Sequence, residues 1–120
     1  LTAERREAGM AASPVSPRHT HAARRHARDM AANDLAGHIG SDGSKPEDRI
    51  SDTGYGDCVL SADFATGWGG VPSAVVDYWL SVPAMRAHLL SDKREVGVGY
   101  GRNPEATWVH YWYVYYATPR

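Results

Sequence analysis

Near its C-terminus the chain carries six consecutive large residues, Tyr111-Trp112-Tyr113-Val114-Tyr115-Tyr116, inside a β-favouring run from Thr107 to Ala117. Alternation along a strand sends Tyr111, Tyr113 and Tyr115 to one side and Trp112, Val114 and Tyr116 to the other. A strand that is aromatic on both faces needs cover on both faces, so it belongs at the centre of a small sheet with helices packed on each side. The expected class is α+β: a three-layer α/β/α sandwich with a small, mainly antiparallel central sheet.

With 120 residues, 42% apolar and 22% charged, the chain has material for one compact domain, residues 1–120. No apolar run approaches the roughly 20 residues of a membrane span. A single cysteine, Cys58, excludes an internal disulfide framework and a four-thiolate zinc site, and a net charge of −1 removes the simplest nucleic-acid reading. The basic N-terminal part is read as a solvated helix face, because Arg24, Arg25 and Arg28 fall on one side of a helix. The chain opens at Leu1, so it reads either as a fragment or as a mature protein whose leader has been removed.

Leu1 to Ala8 reads as a short helix stopped by Gly9. From about Arg18 to Leu35, helical spacing puts His19, Ala23, His26, Ala27 and Met30 on one face and His21 with the arginines opposite. Ser44 and Glu47 form a capping box around Pro46, opening a short helix to about Asp52. Cys58-Val59-Leu60 is a strand candidate. Pro72 opens a helix through Leu80 with Val75, Tyr78, Trp79 and Val82 on its apolar face, and Pro83 breaks it before a further turn near Leu90. Val96 to Tyr100 pairs with the aromatic strand through a Gly101 to Ala106 connection.

Several residues invite a chemical reading. His19 and His26 share a helix face but stand about 10 Å apart along its axis, too far for one metal, and read as core histidines. No Gly-x-Ser-x-Gly turn supports a hydrolytic triad. Gly97 and Gly99 sit within a strand and read as sites of close backbone packing rather than a dinucleotide loop. Cys58 has apolar neighbours and Asp57 beside it, which suits a buried free thiol. Trp68, flanked by glycines, reads either as an exposed anchor for a partner or as a lid folded over a cleft.

His26-Ala27-Arg28-Asp29-Met30-Ala31, His38 with Ser41-Asp42-Gly43-Ser44 and Arg49, and Gly54-Tyr55 resemble the opening half of bacterial CAP domains, the superfamily of cysteine-rich secretory, antigen 5 and pathogenesis-related proteins. Val76-Asp77-Tyr78-Trp79 followed by Ser81, Pro83 and Arg86, then Glu95 to Tyr100 and Tyr111-Trp112, continue the likeness in the same order. The resemblance implies the α/β/α sandwich and an extracytoplasmic location, secreted or periplasmic.

The family often carries two His and two acids able to hold a divalent metal, and the resemblance maps these unevenly. His38 matches the first His. The family's Glu-Asn pair falls on Ala62-Asp63, its second His on Met85 and its second acid on Val82. Neither alanine, valine nor a thioether replaces those ligands well, which implies a degenerate site and no cofactor. Asp63 and His88 are the residues from which a shifted cleft would be built. The reading that follows is a non-catalytic module that binds another protein or a larger envelope assembly. The alternative is a lipid-like small-molecule binder or divergent enzyme around His38, with Asp63 orienting it and Met85 with Val82 as an apolar wall.

Overall fold

The computed structural model describes residues 15–55, 58–67, 72–89 and 95–119. The expected helix at Leu1 to Ala8 and the Trp68 loop lie outside these residues, as does the side chain of Cys58. The elements run α1 (Pro17–Asn33), α2 (Pro46–Asp52), β1 (Cys58–Thr66), α3 (Pro72–Ser81), α4 (Pro83–Leu89), β2 (Glu95–Arg102) and β3 (His110–Pro119). The three strands form an antiparallel sheet in the order β1-β3-β2, which puts the aromatic strand in the middle, as its two-sided composition requires.

Each face of β3 has its own cover. Tyr111, Tyr113 and Tyr115 pack with Ala22, Ala23, Ala27 and Met30 of α1 and Ile50 of α2. Trp112, Val114 and Tyr116 pack with Val75 and Trp79 of α3, and Met85 of α4 lies against that cluster. Helix α1 begins at Ser16, whose side chain accepts from the His19 N–H, with Pro17 in the first turn. It ends where Asp34 takes a left-handed conformation at φ 49° and returns its N–H to Met30.

The contact between α1 and β2 is made through missing side chains. Gly97, Gly99 and Gly101 recur at every second position of β2 and face the helix at His19, Ala23 and Ala27, one turn apart. A Cβ on Gly99 would lie 2.2 Å from the Ala23 carbonyl carbon and the Arg24 nitrogen, and one on Gly97 2.2 Å from the His19 carbonyl carbon. Close backbone approach is thus the role of the strand glycines.

Strand β1 runs on to Thr66, β2 extends over Gly101 and Arg102, and two further boundaries shift for identifiable reasons. The α2 cap is Lys45 rather than Ser44: the Asp48 carboxylate accepts from the Lys45 N–H at 2.9 Å, while Ser44 Oγ accepts from Arg49. The aromatic strand begins at His110, not Thr107. Asp34 captures both the N–H and the hydroxyl of Thr107, at 3.0 and 2.6 Å, and so holds that residue out of the ladder. The connection is correspondingly longer, 103–109, and passes through Val109 at φ 66°, a left-handed conformation costly for a β-branched residue.

Candidate functional site

The candidate residues gather about β1, an edge strand. Asp63 lies between Ala62 and Phe64, so its side chain leaves the face that those two share. The pairing register sets Asp63 opposite Val114, and Ala62 and Phe64 opposite Tyr115 and Tyr113. Asp63 therefore points towards the α3 and α4 layer, while Phe64 joins the tyrosines under α1. There Asp63 meets His88 of α4: Nδ1 lies 3.1 Å from each carboxylate oxygen. Asp63 is 5% exposed. Burial raises its pKa, and the nearby charges of His88 and His38 oppose that rise.

His38 belongs to the opposite face. It follows the end of α1, and its Nδ1 lies 2.6 Å from the hydroxyl of the buried Tyr113. Its ring meets Phe64 and Tyr113 edge-on at 5.3 and 5.6 Å. Although the residue as a whole is exposed, this shielding of the ring lowers its pKa, with Asp63 pulling the other way. Burial, reinforced by Tyr115, pushes the Tyr113 hydroxyl far above the usual phenol range, so it keeps its proton. The hydroxyl and His38 Nδ1 share one short hydrogen bond, whose donor is set by the imidazole tautomer.

Behind His38, a buried arginine fixes the backbone. Arg49 is 1% exposed and donates from Nη2 to the His38 carbonyl at 2.7 Å, from Nη1 to Ser44, and from Nε to the Tyr115 hydroxyl at 3.0 Å. Tyr115 in turn donates to the Pro46 carbonyl. The sequence reading named Arg49 only as part of a motif and did not foresee Tyr113 or Tyr115 as partners. Strand alternation contained the signal, since it puts every tyrosine hydroxyl of that face of β3 on the side from which His38 and Arg49 approach.

The site residues are thus divided. Asp63 and His88 meet on one side of β1, and His38 meets Tyr113 on the other. Asp63 makes no hydrogen bond to His38, although its charge is felt at that ring. Val82 and Met85 are both partly buried, and Met85 packs against the Trp79 and Trp112 cluster. The donor set does not fit a divalent cation: Ala62 and Val82 offer no ligand atom and Met85 only a thioether. Among the described residues no three His, Cys, Asp or Glu side chains stand close enough to hold a metal ion. Nor is any described helix long and apolar enough to cross a membrane.

The cysteine-rich secretory protein (CAP) family matches residues 1–116. The chain belongs to the CAP family. Among solved structures it is similar to an outer surface protein from Borrelia burgdorferi, with a TM-score of 0.85 and 17% identity, covering 99% of this chain and 86% of that one. It is also similar to an extracellular SCP-domain protein from Bacillus anthracis, with a TM-score of 0.77 and 18% identity, covering 96% of this chain and 37% of that one. No curated protein matches it. At these identities the two likenesses establish the fold, and the CAP sandwich is the one that the two-faced aromatic strand requires.

Proposed function

We propose that this CAP domain, residues 1–120, is a non-catalytic extracytoplasmic module that works by binding another protein or as a structural subunit of an envelope assembly. The observation that carries the reading is the division of the polar residues by β1. His38 serves the Tyr113 side and Asp63 the His88 side, while three of the four family ligand positions are Ala62, Val82 and Met85. A scaffold kept intact around a dismantled cleft fits a protein used through its surface. The outer-surface and extracellular relatives support a place outside the cytoplasm. Trp68, flanked by glycines in the sequence, is the first residue assigned to the partner surface.

The test is photo-cross-linking in the native envelope, with a photoreactive amino acid in place of Trp68 and, as a control, in place of Arg24. The reading expects one discrete protein adduct from position 68 and none from position 24. A chain that stays monomeric and forms no adduct contradicts it.

A second reading is favoured by one observation, the pairing of buried Asp63 with His88, whose side chain is 38% exposed. A carboxylate at Nδ1 selects the imidazole tautomer with its basic nitrogen at Nε2, an arrangement suited to hydrogen-bonding or proton transfer. In a divergent cleft it would serve a lipid-like small molecule, with Met85 as apolar wall. Binding of a fluorescent fatty acid that is lost in His88→Ala but kept in His38→Ala would favour this reading over the first.

A further inference from the structure

A cavity of about 240 Å³ opens between α1 and the 40–49 segment, and none of the family ligand positions, His38, Ala62, Val82 and Met85, lines it. Its buried walls are His26 and Arg49, and its exposed rim is formed by Ser41 and Asp42. The volume corresponds to about eight waters at roughly 30 Å³ each, room for a small polar solute.

The charges around it are balanced but not all paired. Arg25 at the rim is bonded to Asp52 at 2.8 Å and Asp42 at 3.2 Å. The two remaining charged residues, Arg49 and Asp29, take part in no ion pair among the described residues. Arg49 is held by neutral oxygens alone, from Tyr115, Ser44 and His38. Asp29 is held by neutral donors alone: the Ser41 N–H at 2.7 Å, the Ser41 hydroxyl at 2.5 Å and Asn33 Nδ2 at 2.7 Å. His26 bonds the Gly37 carbonyl through Nε2 at 2.6 Å and leaves its buried Nδ1 without a partner.

A buried guanidinium without a counter-ion is costly, because the interior returns little of the lost hydration. Here a cation and an anion, neither in an ion pair and not bonded to each other, line one cavity. The occupant that satisfies both bears a carboxylate and an ammonium group on a short backbone. We propose that this cavity binds a small zwitterion of the free α-amino acid class, its carboxylate directed to Arg49 and its ammonium to Asp29. The inference is independent of the protein-binding role proposed above.

The test is titration of the isotopically labelled chain with glycine, followed by amide NMR at Ser41 and Ser44, with acetate and methylammonium as single-charge controls. Saturable shifts with glycine, and binding at least about tenfold weaker for either control, are expected. Asp29→Asn, which keeps the shape of the side chain, should weaken glycine by a similar factor. No saturable shift with glycine, or equal binding of glycine and either control, overturns the proposal. So does unchanged binding in a folded Asp29→Asn variant. The ligand series needs no variant, so it decides the matter even where Asp29→Asn does not fold.

Discussion

The two faces of the sheet are built on opposite principles. Under α1 the contact is backbone to backbone: three glycines of β2 meet α1 at His19, Ala23 and Ala27, and buried tyrosine hydroxyls, His38 and Arg49 knit the rest. Under α3 and α4 the contact is side chain to side chain, through Val75, Trp79, Trp112 and Tyr116. A backbone contact has no rotamers to adjust, whereas a layer of large side chains can repack. The first face should therefore be intolerant of added volume, and the second should lose stability in proportion to what is removed.

The largest effect is expected at Gly99. Gly99→Val drives a branched side chain into the backbone of Ala23 and Arg24 and should cost about 3 kcal/mol or more, against about 2 kcal/mol for Val75→Ala on the other face. Urea unfolding of the two variants checks the order, and a Gly99→Val protein as stable as the parent would erase the distinction between the faces.

The second effect separates the faces by pH. His26 is fully buried under α1, where burial above all, then the Arg49 charge, lowers its pKa from 6.5 to about 4 against the pull of the Gly37 bond. Burial also lowers that of His19, which Glu95 opposes. An unfolded histidine binds its proton near pH 6.5, so between pH 6.5 and about 4 the unfolded state holds more protons and stability falls as acid is added. The loss from His26 is of order 3 kcal/mol and complete below its folded pKa. Asp63, whose pKa burial raises, acts in the reverse sense over the acid range. Unfolding of the parent and of His26→Gln across this range should give a shallower slope for the variant.

Arg49→Met should follow. It strips partners from the Tyr115 hydroxyl and the Ser44 and His38 carbonyls, a loss of about 2 kcal/mol, and frees the loop that carries His38. Thermal unfolding measures the loss, and the NMR signal of the His38 ring should broaden. The smallest effect belongs to the Asp63–His88 pair on the apolar face. His88→Ala removes a partner of buried Asp63 at the cost of about 1 kcal/mol in urea unfolding, leaving the His38 ring signals in place. A shift of His38 as large as in Arg49→Met would mean that the two sides of β1 are coupled by more than the charge of Asp63.

The layers were legible because period-two aromatic alternation in β3 and the helical spacing of α1 both record burial directly. The glycine stripe was legible in part: Gly97 and Gly99 read as close packing, but Gly101 was assigned to a connection, since a glycine carries no pattern that shows where its strand ends. Thr107 was misread as strand because its β-propensity is local, whereas its capture by Asp34 joins residues far apart in sequence. For the site, Asp63 and His88 were named together as the makings of a shifted cleft, but not that they would pair with each other while His38 bonds Tyr113. Which side of β1 each occupies follows from register, and register depends on the turn and the partner strand together.

The central claim is that β1 divides the polar residues of the CAP cleft, so that they form no common site. Zinc calorimetry on the metal-free chain at neutral pH tests it most directly, with His38→Ala and His88→Ala alongside. The division predicts no stoichiometric zinc binding that depends on both histidines. Tight one-to-one binding, lost in each variant, would contradict it and return His38, Asp63 and His88 to a single centre.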